Sequence, residues 1–298
     1  MNTATGIMTM NMVTATLQPP SVLLLELERV VAQVVYGVLA HSTALLADAA
    51  HNFGDVLGLL VAWGAYLLGG RTPTERYTYG FRSTSILAAL LNAIILLIAS
   101  GAIAWEAIQR LFEPQPVAGW TVIAVAAVGI VINGVTAARG IRGDLNIKAA
   151  YVHMLADAAV SGGVVVAGLV IVLTGWTRVD PIAGIVISGV IIWSTWGLLR
   201  KSVDLSLQAV PSGIEPANVR AYLETLPGVA EVHDLHVWPM STTETALTCH
   251  LVVPEGHPGR DFFIRIEAEL LERFHIQHPT IQVELGEGSC KLAPAHVV

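Results

Sequence analysis

Residues 44–68 read ALLADAAHNFGDVLGLLVAWGAYLL. As a helix rising 1.5 Å per residue, a stretch of this length spans roughly 37 Å, more than the roughly 30 Å hydrocarbon core of a bilayer. Three ionisable side chains interrupt it: Asp48, His51 and Asp55. Inside a spanning helix each costs roughly 2.5–3.5 kcal/mol even on the lenient insertion scale, so each needs a partner or a use. His51 and Asp55 are four positions apart, one turn along a single helical face. A second apolar stretch, Ala149 to Thr174, repeats the pattern with His153 and Asp157. Two such pairs on facing helices supply two imidazoles and two carboxylates, a four-coordinate nitrogen and oxygen set suited to a borderline cation such as Zn²⁺. Asp48, one turn from His51, has two readings: an accessory role in an ion pathway, or a hydrogen bond to a neighbouring helix.

The same ruler finds four further stretches, at Val22 to Leu39, Ile86 to Ala107, Trp120 to Thr136 and Ile182 to Leu199. The expectation is six transmembrane helices within residues 22–203, after an N-terminal segment at 1–21. Lys and Arg in the short connections set the orientation. Arg71, Arg76, Arg82, Arg139, Arg142, Lys148, Arg200 and Lys201 fall on one side, Arg110 and Arg178 on the other. The positive-inside rule then places both termini in the cytoplasm. Glu26 and Glu28 sit beside Arg29 near the cytoplasmic interface, where snorkelling is expected. The small run Ser161-Gly162-Gly163 reads as a close helix contact.

Composition agrees. Of the 298 residues, 54% are apolar and only 13% charged, about half the charge of a soluble domain. Residues 1–200 hold 10 Lys/Arg and 10 Asp/Glu, whereas 201–298 hold 6 and 13, so a membrane domain is followed by a smaller acidic one in water. Two cysteines build no disulfide framework. A net charge of −7 without a basic run argues against nucleic acid. After Lys201 the pattern predicts a helix at Glu215 to Leu226, strands at Val229 to Pro239 and Thr243 to Val253, a helix at Asp261 to Phe274 and a strand at Thr280 to Leu285. This α-β-β-α-β order at 204–290, before a tail at 291–298, suggests an α+β, ferredoxin-like domain with an antiparallel sheet. His233 and His236, three apart on a strand, are expected on opposite faces and so not on one metal.

The string from Leu45 to Asp55, Arg76-Tyr77-Thr78-Tyr79-Gly80 before Leu87-Ala88-Ala89-Leu90-Leu91-Asn92-Ala93, and Leu145-Asn146 ahead of His153-Met154-Leu155-Ala156-Asp157 resemble the cation diffusion facilitator family. The resemblance implies a homodimeric six-span exporter of divalent metal, Zn²⁺ first with Cd²⁺ as a further cation, in exchange for protons, in the inner or plasma membrane. It implies a transport site at His51, Asp55, His153 and Asp157, and a regulatory Zn²⁺ site in the cytosolic domain at His233, His250 and Glu284, with His278 or Cys290 as additions. Asp180 and Asn92 also match, without implying ligation. Relatives with a metal site in the loop after span two use His and Asp there; Arg71 to Arg82 has neither, and Gly140 to Lys148 has no His, so neither loop is expected to bind metal. The rivals are an intramembrane His-dependent phosphatase, which would need a PSGH stretch that Pro211-Ser212-Gly213-Ile214 does not supply, and a sensor, which would need no ionisable groups at mid-membrane. The chain therefore reads as a secondary transporter and not an enzyme.

Overall fold

The computed structural model describes residues 20–140 and 145–286, the side chains at 20–23, 135–140 and 145–153 set aside. The expected segments 1–19 and 291–298, and Cys290 with them, lie outside the described residues. The first part of the chain forms α1 (Pro20–Leu39), α2 (Thr43–Gly69), α3 (Thr84–Phe112), α4 (Gly119–Gly140), α5 (Leu145–Thr174) and α6 (Val179–Ser206). Each helix overruns the stretch predicted for it, because the apolar run measures the bilayer while backbone hydrogen bonding continues beyond it. Among the described residues, four stretches are long and apolar enough to cross a membrane: Thr43–Gly69, Thr84–Phe112, Met154–Thr174 and Val179–Ser206. In α4 the described side chains end at Gly134 and are apolar up to there, and α1 carries Glu26, Glu28 and Arg29 in its 20 residues.

Buried side chains of one helical unit come from α2, α3, α4, α5 and α6, centred on Ala44, Leu45, Ala47, Leu96, Val122, Ala126, Val164, Ile187 and Ile191. The closest crossing is that of α4 with α5. A Cβ on Gly119 would stand 3.1 Å from the Gly168 carbonyl oxygen, and one on Gly168 would stand 3.2 Å from that of Gly119. Of the run Ser161-Gly162-Gly163, buried Ser161 makes the expected helix contact, with Asp48 of α2, whereas a Cβ on Gly162 or Gly163 would meet nothing within 4 Å among the described residues. Packing in an apolar solvent rewards small residues only where a backbone faces them.

Asp180, fully buried at the start of α6, accepts hydrogen bonds from the Ser42 hydroxyl, the Thr43 amide (2.7 Å) and the Thr43 hydroxyl (2.8 Å). A carboxylate thus meets the positive N-terminal end of α2 from another helix and satisfies donors that a bilayer could not. Arg29 is the ready partner that the sequence offered Glu26, and it reaches a second helix as well. It is 5% exposed, pairs with Glu26 at 3.2 Å and donates from Nη1 to the Asn133 side chain of α4. It faces the helical interior and does not snorkel, because Glu26 and Asn133 offer acceptors that the interface is not needed to supply.

The second compact unit joins Leu68–Leu87 to the chain from Lys201 onward. It contains α7 (Pro216–Glu224), β1 (Glu231–Pro239), β2 (Thr245–Val252), α8 (Arg260–Phe274) and β3 (His278–Glu284). Pro216 stands in the first turn of α7, where its missing N–H costs nothing. The strand order is β1-β2-β3; β1 runs antiparallel to β2, but β3 runs parallel to it. The sheet is mixed, not antiparallel as the sequence suggested, because α8 carries the chain back to the starting end before β3 begins. Leu247, Cys249 and Leu251 of β2, with Val232, Leu235 and Val237, pack against Val219 and Leu223 of α7 and Ile266 and Leu270 of α8. The loop 68–87 is fixed to this unit. Arg82 pairs with Glu244 at 3.0 Å, the Ser83 hydroxyl donates to the Met240 carbonyl (3.0 Å), and the Thr242 amide donates to the Ser85 hydroxyl (3.1 Å).

Candidate metal sites

In the helical unit, α2 presents His51 and Asp55 one turn apart, and α5 presents Asp157. His51 Nε2 lies 2.9 Å from Asp157 Oδ1. One ligand atom from each of His51, Asp55 and Asp157 falls within 4.8 Å of the other two. His153 occupies α5 one turn before Asp157; its side chain lies outside the described residues. Two helices therefore bring together one nitrogen and two carboxylate donors, with His51 and Asp55 partly exposed and Asp157 buried.

Asp48 stands outside this cluster. It is fully buried and accepts hydrogen bonds from Gln33 Nε2 of α1 (2.7 Å) and the Ser161 hydroxyl of α5 (3.0 Å). The hydrogen bonds to neighbouring helices that one of its readings expects are present. Gln33 also accepts from Asn52 Nδ2 at 2.9 Å, so one buried amide ties α1 to two polar side chains of α2. Gln33 and Asn52 were not singled out from the sequence, and Ser161 was read only as part of a close helix contact, not as a partner of Asp48. It could have been read as one, since it lies four residues beyond Asp157 as Asp48 lies three before His51, which puts a second polar pair one turn from the first.

In the sheet unit, His233 and His250 are directly paired across β1 and β2, with ring centroids 5.1 Å apart. Glu284 of β3 reaches both: Oε2 is 3.2 Å from His233 Nε2 and Oε1 is 2.9 Å from His250 Nδ1. These three residues form the second group whose ligand atoms lie within 4.8 Å of one another. Alternation along β2 and β3 sends Leu247, Cys249, Leu251, Ile281 and Val283 to the core and His250 and Glu284 to the other face. His278 does not join them within the chain. It begins β3 opposite Ala246, six residues and so about 20 Å from Glu284, and its ring stands 6.1 Å from that of Tyr79.

The expected separation of His233 from His236 fails for a local reason. His233 pairs with His250 and His236 with Thr248, so three steps along β1 match two along β2. That is a β-bulge, and it returns the two histidines to the same face, while Val232, Leu235 and Val237 keep to the core. The buried thiol of Cys249, on the core face, is pushed up to about 12 by loss of solvent, which leaves it a packing group and not a metal ligand.

Comparisons with known proteins agree with this architecture. The family described as the cation efflux transmembrane domain matches residues 22–205, and the cation efflux protein cytoplasmic domain, a dimerisation module by its name, matches 211–285. The chain is 37% identical over 257 residues to the zinc transporter ZitB of Escherichia coli, covering 85% of this chain and 82% of that one. It is 33% identical over 269 residues to the metal cation efflux system protein CzcD of Cupriavidus metallidurans, covering 89% and 84%. It is 31% identical over 260 residues to a cadmium, cobalt and zinc/H(+)-K(+) antiporter of Bacillus subtilis, covering 85% and 83%. With both domains matched in order and relatives of this similarity named as transporters and antiporters, the chain belongs to the cation efflux, or cation diffusion facilitator, family of integral membrane transporters and is not an enzyme.

Proposed function

We propose that this protein exports Zn²⁺, and secondarily Cd²⁺, from the cytoplasm in exchange for protons, through an intramembrane site of His51, Asp55, His153 and Asp157. The observation that carries the reading is the convergence of His51, Asp55 and Asp157 ligand atoms within 4.8 Å from two helices that the bilayer gives no other reason to furnish with charge. Relatives named for zinc, cadmium and cobalt support the class of cargo. In this reading α1 to α6 all span, both termini are cytoplasmic, two chains associate through the C-terminal domain, and that domain carries a regulatory Zn²⁺ site at His233, His250 and Glu284.

Exchange follows from the donors. Imidazole binds metal only when neutral and carboxylate only when ionised, so proton and metal compete for the same atoms. His51 Nε2 and Asp157 Oδ1 lie 2.9 Å apart, so a proton shared between them and a metal bound by them require the same atoms. An arriving Zn²⁺ takes both atoms as ligands and the proton leaves. Uptake of a proton on the far side restores the pair and releases the ion. The site thus alternates between two mutually exclusive closures, and a rocking of the site helices against the rest changes the side to which it opens.

Purified protein in liposomes tests this. Inward-directed Zn²⁺ flux should rise when the pH gradient runs against it and vanish when the gradient is collapsed by an ionophore. Flux indifferent to the gradient would overturn proton exchange, and absence of flux for any divalent ion would overturn the transport reading.

A further inference from the structure

We infer that Asp234 is the positioning residue of the C-terminal metal site, holding His250 so that its Nδ1 faces the ion; this rests on the reading of His233, His250 and Glu284 as ligands. Asp234 is the extra residue of the β1 bulge, between His233 and His236. Its φ of 51° lies in the left-handed region, which an L-residue with a side chain enters as an exception and which the short polar side chain of Asp tolerates better than most. A residue selected for the turn alone would be glycine. What a carboxylate adds is its reach: Oδ1 meets His236 Nε2 at 2.9 Å, and Oδ2 lies 3.5 Å from His250 Nε2.

The ring of His250 thus lies between two carboxylates, hydrogen-bonded to one at Nδ1 and at ion-pair distance from the other at Nε2. Nδ1 lies 2.9 Å from Oε1 of Glu284, the carboxylate whose Oε2 meets His233 Nε2, and Nε2 lies 3.5 Å from Asp234 Oδ2. A metal-binding imidazole carries its proton on the nitrogen away from the ion, and a carboxylate receiving that N–H fixes both the tautomer and the angle of the ring and makes the ligand more basic. Asp234 is placed to do this for His250. His233 has no equivalent, since its buried Nδ1 has no hydrogen-bond partner among the described residues. The exposed ring of His236 in turn steadies Asp234 from its other oxygen. The bulge therefore does two things with one residue: it brings His236 to the metal-facing side and inserts a carboxylate between the two rings.

The test uses full-length protein with Asp157→Ala, so that Zn²⁺ titrated calorimetrically reports the C-terminal site. In that background Asp234→Gly relieves the left-handed backbone and removes the carboxylate. The apo protein should melt at the same temperature or higher, while Zn²⁺ affinity falls about 10–100-fold, the usual consequence of losing an outer-shell partner. Asp234→Asn retains an acceptor oxygen and a residue type at home in this conformation, and should restore most of the affinity. His233→Ala removes a proposed ligand and should abolish binding at this site. If His233→Ala abolishes binding but Asp234→Gly binds as tightly as its parent, Asp234 is a turn residue only and the inference is wrong. If neither substitution changes binding, the site itself is misassigned and the inference falls with it.

Discussion

The imidazole of His51 and the carboxylate of Asp157 meet at 2.9 Å across 106 residues of sequence, joining α2 to α5 inside the helical unit. Asp48 and Ser161 form a second polar link between the same two helices, 3.0 Å long. The two links differ in chemistry. The fully buried Asp48–Ser161 link is a carboxylate satisfied by neutral donors, suited to permanence; the His51–Asp157 link pairs a titratable base with a carboxylate, suited to exchange.

Asp157→Ala should abolish Zn²⁺ flux while leaving the protein folded, because it removes an anionic ligand from the intramembrane site. Its effect on intramembrane Zn²⁺ binding should exceed the roughly 10–100-fold typical of an outer partner. Radiotracer or fluorescent flux in liposomes, with size-exclusion chromatography as the folding control, checks this. Wild-type flux in the variant would remove Asp157 from the site.

Replacing His51 and His153 together by Asp changes the proposed donor set from two nitrogens and two oxygens to four oxygens. Harder ligands favour harder ions, so the preference for Zn²⁺ over Mn²⁺ should shrink in competition assays. The same variant should lose the pH dependence of transport between about pH 6 and 7.5, where imidazole titrates. Retention of both properties would show that the two histidines neither select the ion nor carry the proton.

Asp180→Ala should lower stability by about 3 kcal/mol, since the Ser42 hydroxyl and both donors of Thr43 lose their acceptor in a setting without water. Gly184→Ala attacks the same joint from the other side: its Cβ would stand 2.9 Å from the Thr43 hydroxyl oxygen and 3.1 Å from the Thr43 carbonyl carbon. Thermal unfolding in detergent should show both variants destabilised, and the double variant less than additively so. Strict additivity would mean that the two residues act on separate contacts.

The C-terminal domain should lose stability in alkali. Burial raises the Cys249 thiol to about 12 from an ordinary value near 9, so the folded state keeps a proton that the unfolded chain gives up. The contribution is whole below about pH 9 and declines as pH rises toward 12. Cys249→Val, which keeps an apolar side chain at a core strand position, should flatten that decline in melting temperature. An unchanged slope would assign the alkaline loss to other groups, among them Tyr222, whose phenol burial also raises to about 12.

What could be read from the sequence was whatever repeats with a helical period. The spacing of His51 to Asp55 and of His153 to Asp157 follows from 3.6 residues per turn, so the transport candidates were visible without a fold. His233, His250 and Glu284 came through family resemblance, because cross-strand neighbours leave no local spacing to read. The bulge at Asp234 was invisible for a related reason: strand alternation assumes an unbroken register, and register is a property of two strands. The direction of β3 depends on where α8 delivers the chain. The inward turn of Arg29 depends on Asn133, more than a hundred residues away, which no window on α1 contains.

The attachment of loop 68–87 to the C-terminal domain carries a rule of parity. Arg82 and Glu244, as partners in one salt bridge, occupy one aqueous compartment, and so the chain between them must traverse the bilayer an even number of times. Three stretches in that interval, Thr84–Phe112, Met154–Thr174 and Val179–Ser206, have the length and apolarity to cross by themselves. Three crossings would leave Glu244 on the wrong side of the membrane from Arg82. Under the six-span reading proposed here, α4 (Gly119–Gly140) is the crossing that closes the count. A single ion pair between the segment after α2 and the turn before β2 thereby constrains the topology of a helix that contains neither of its residues.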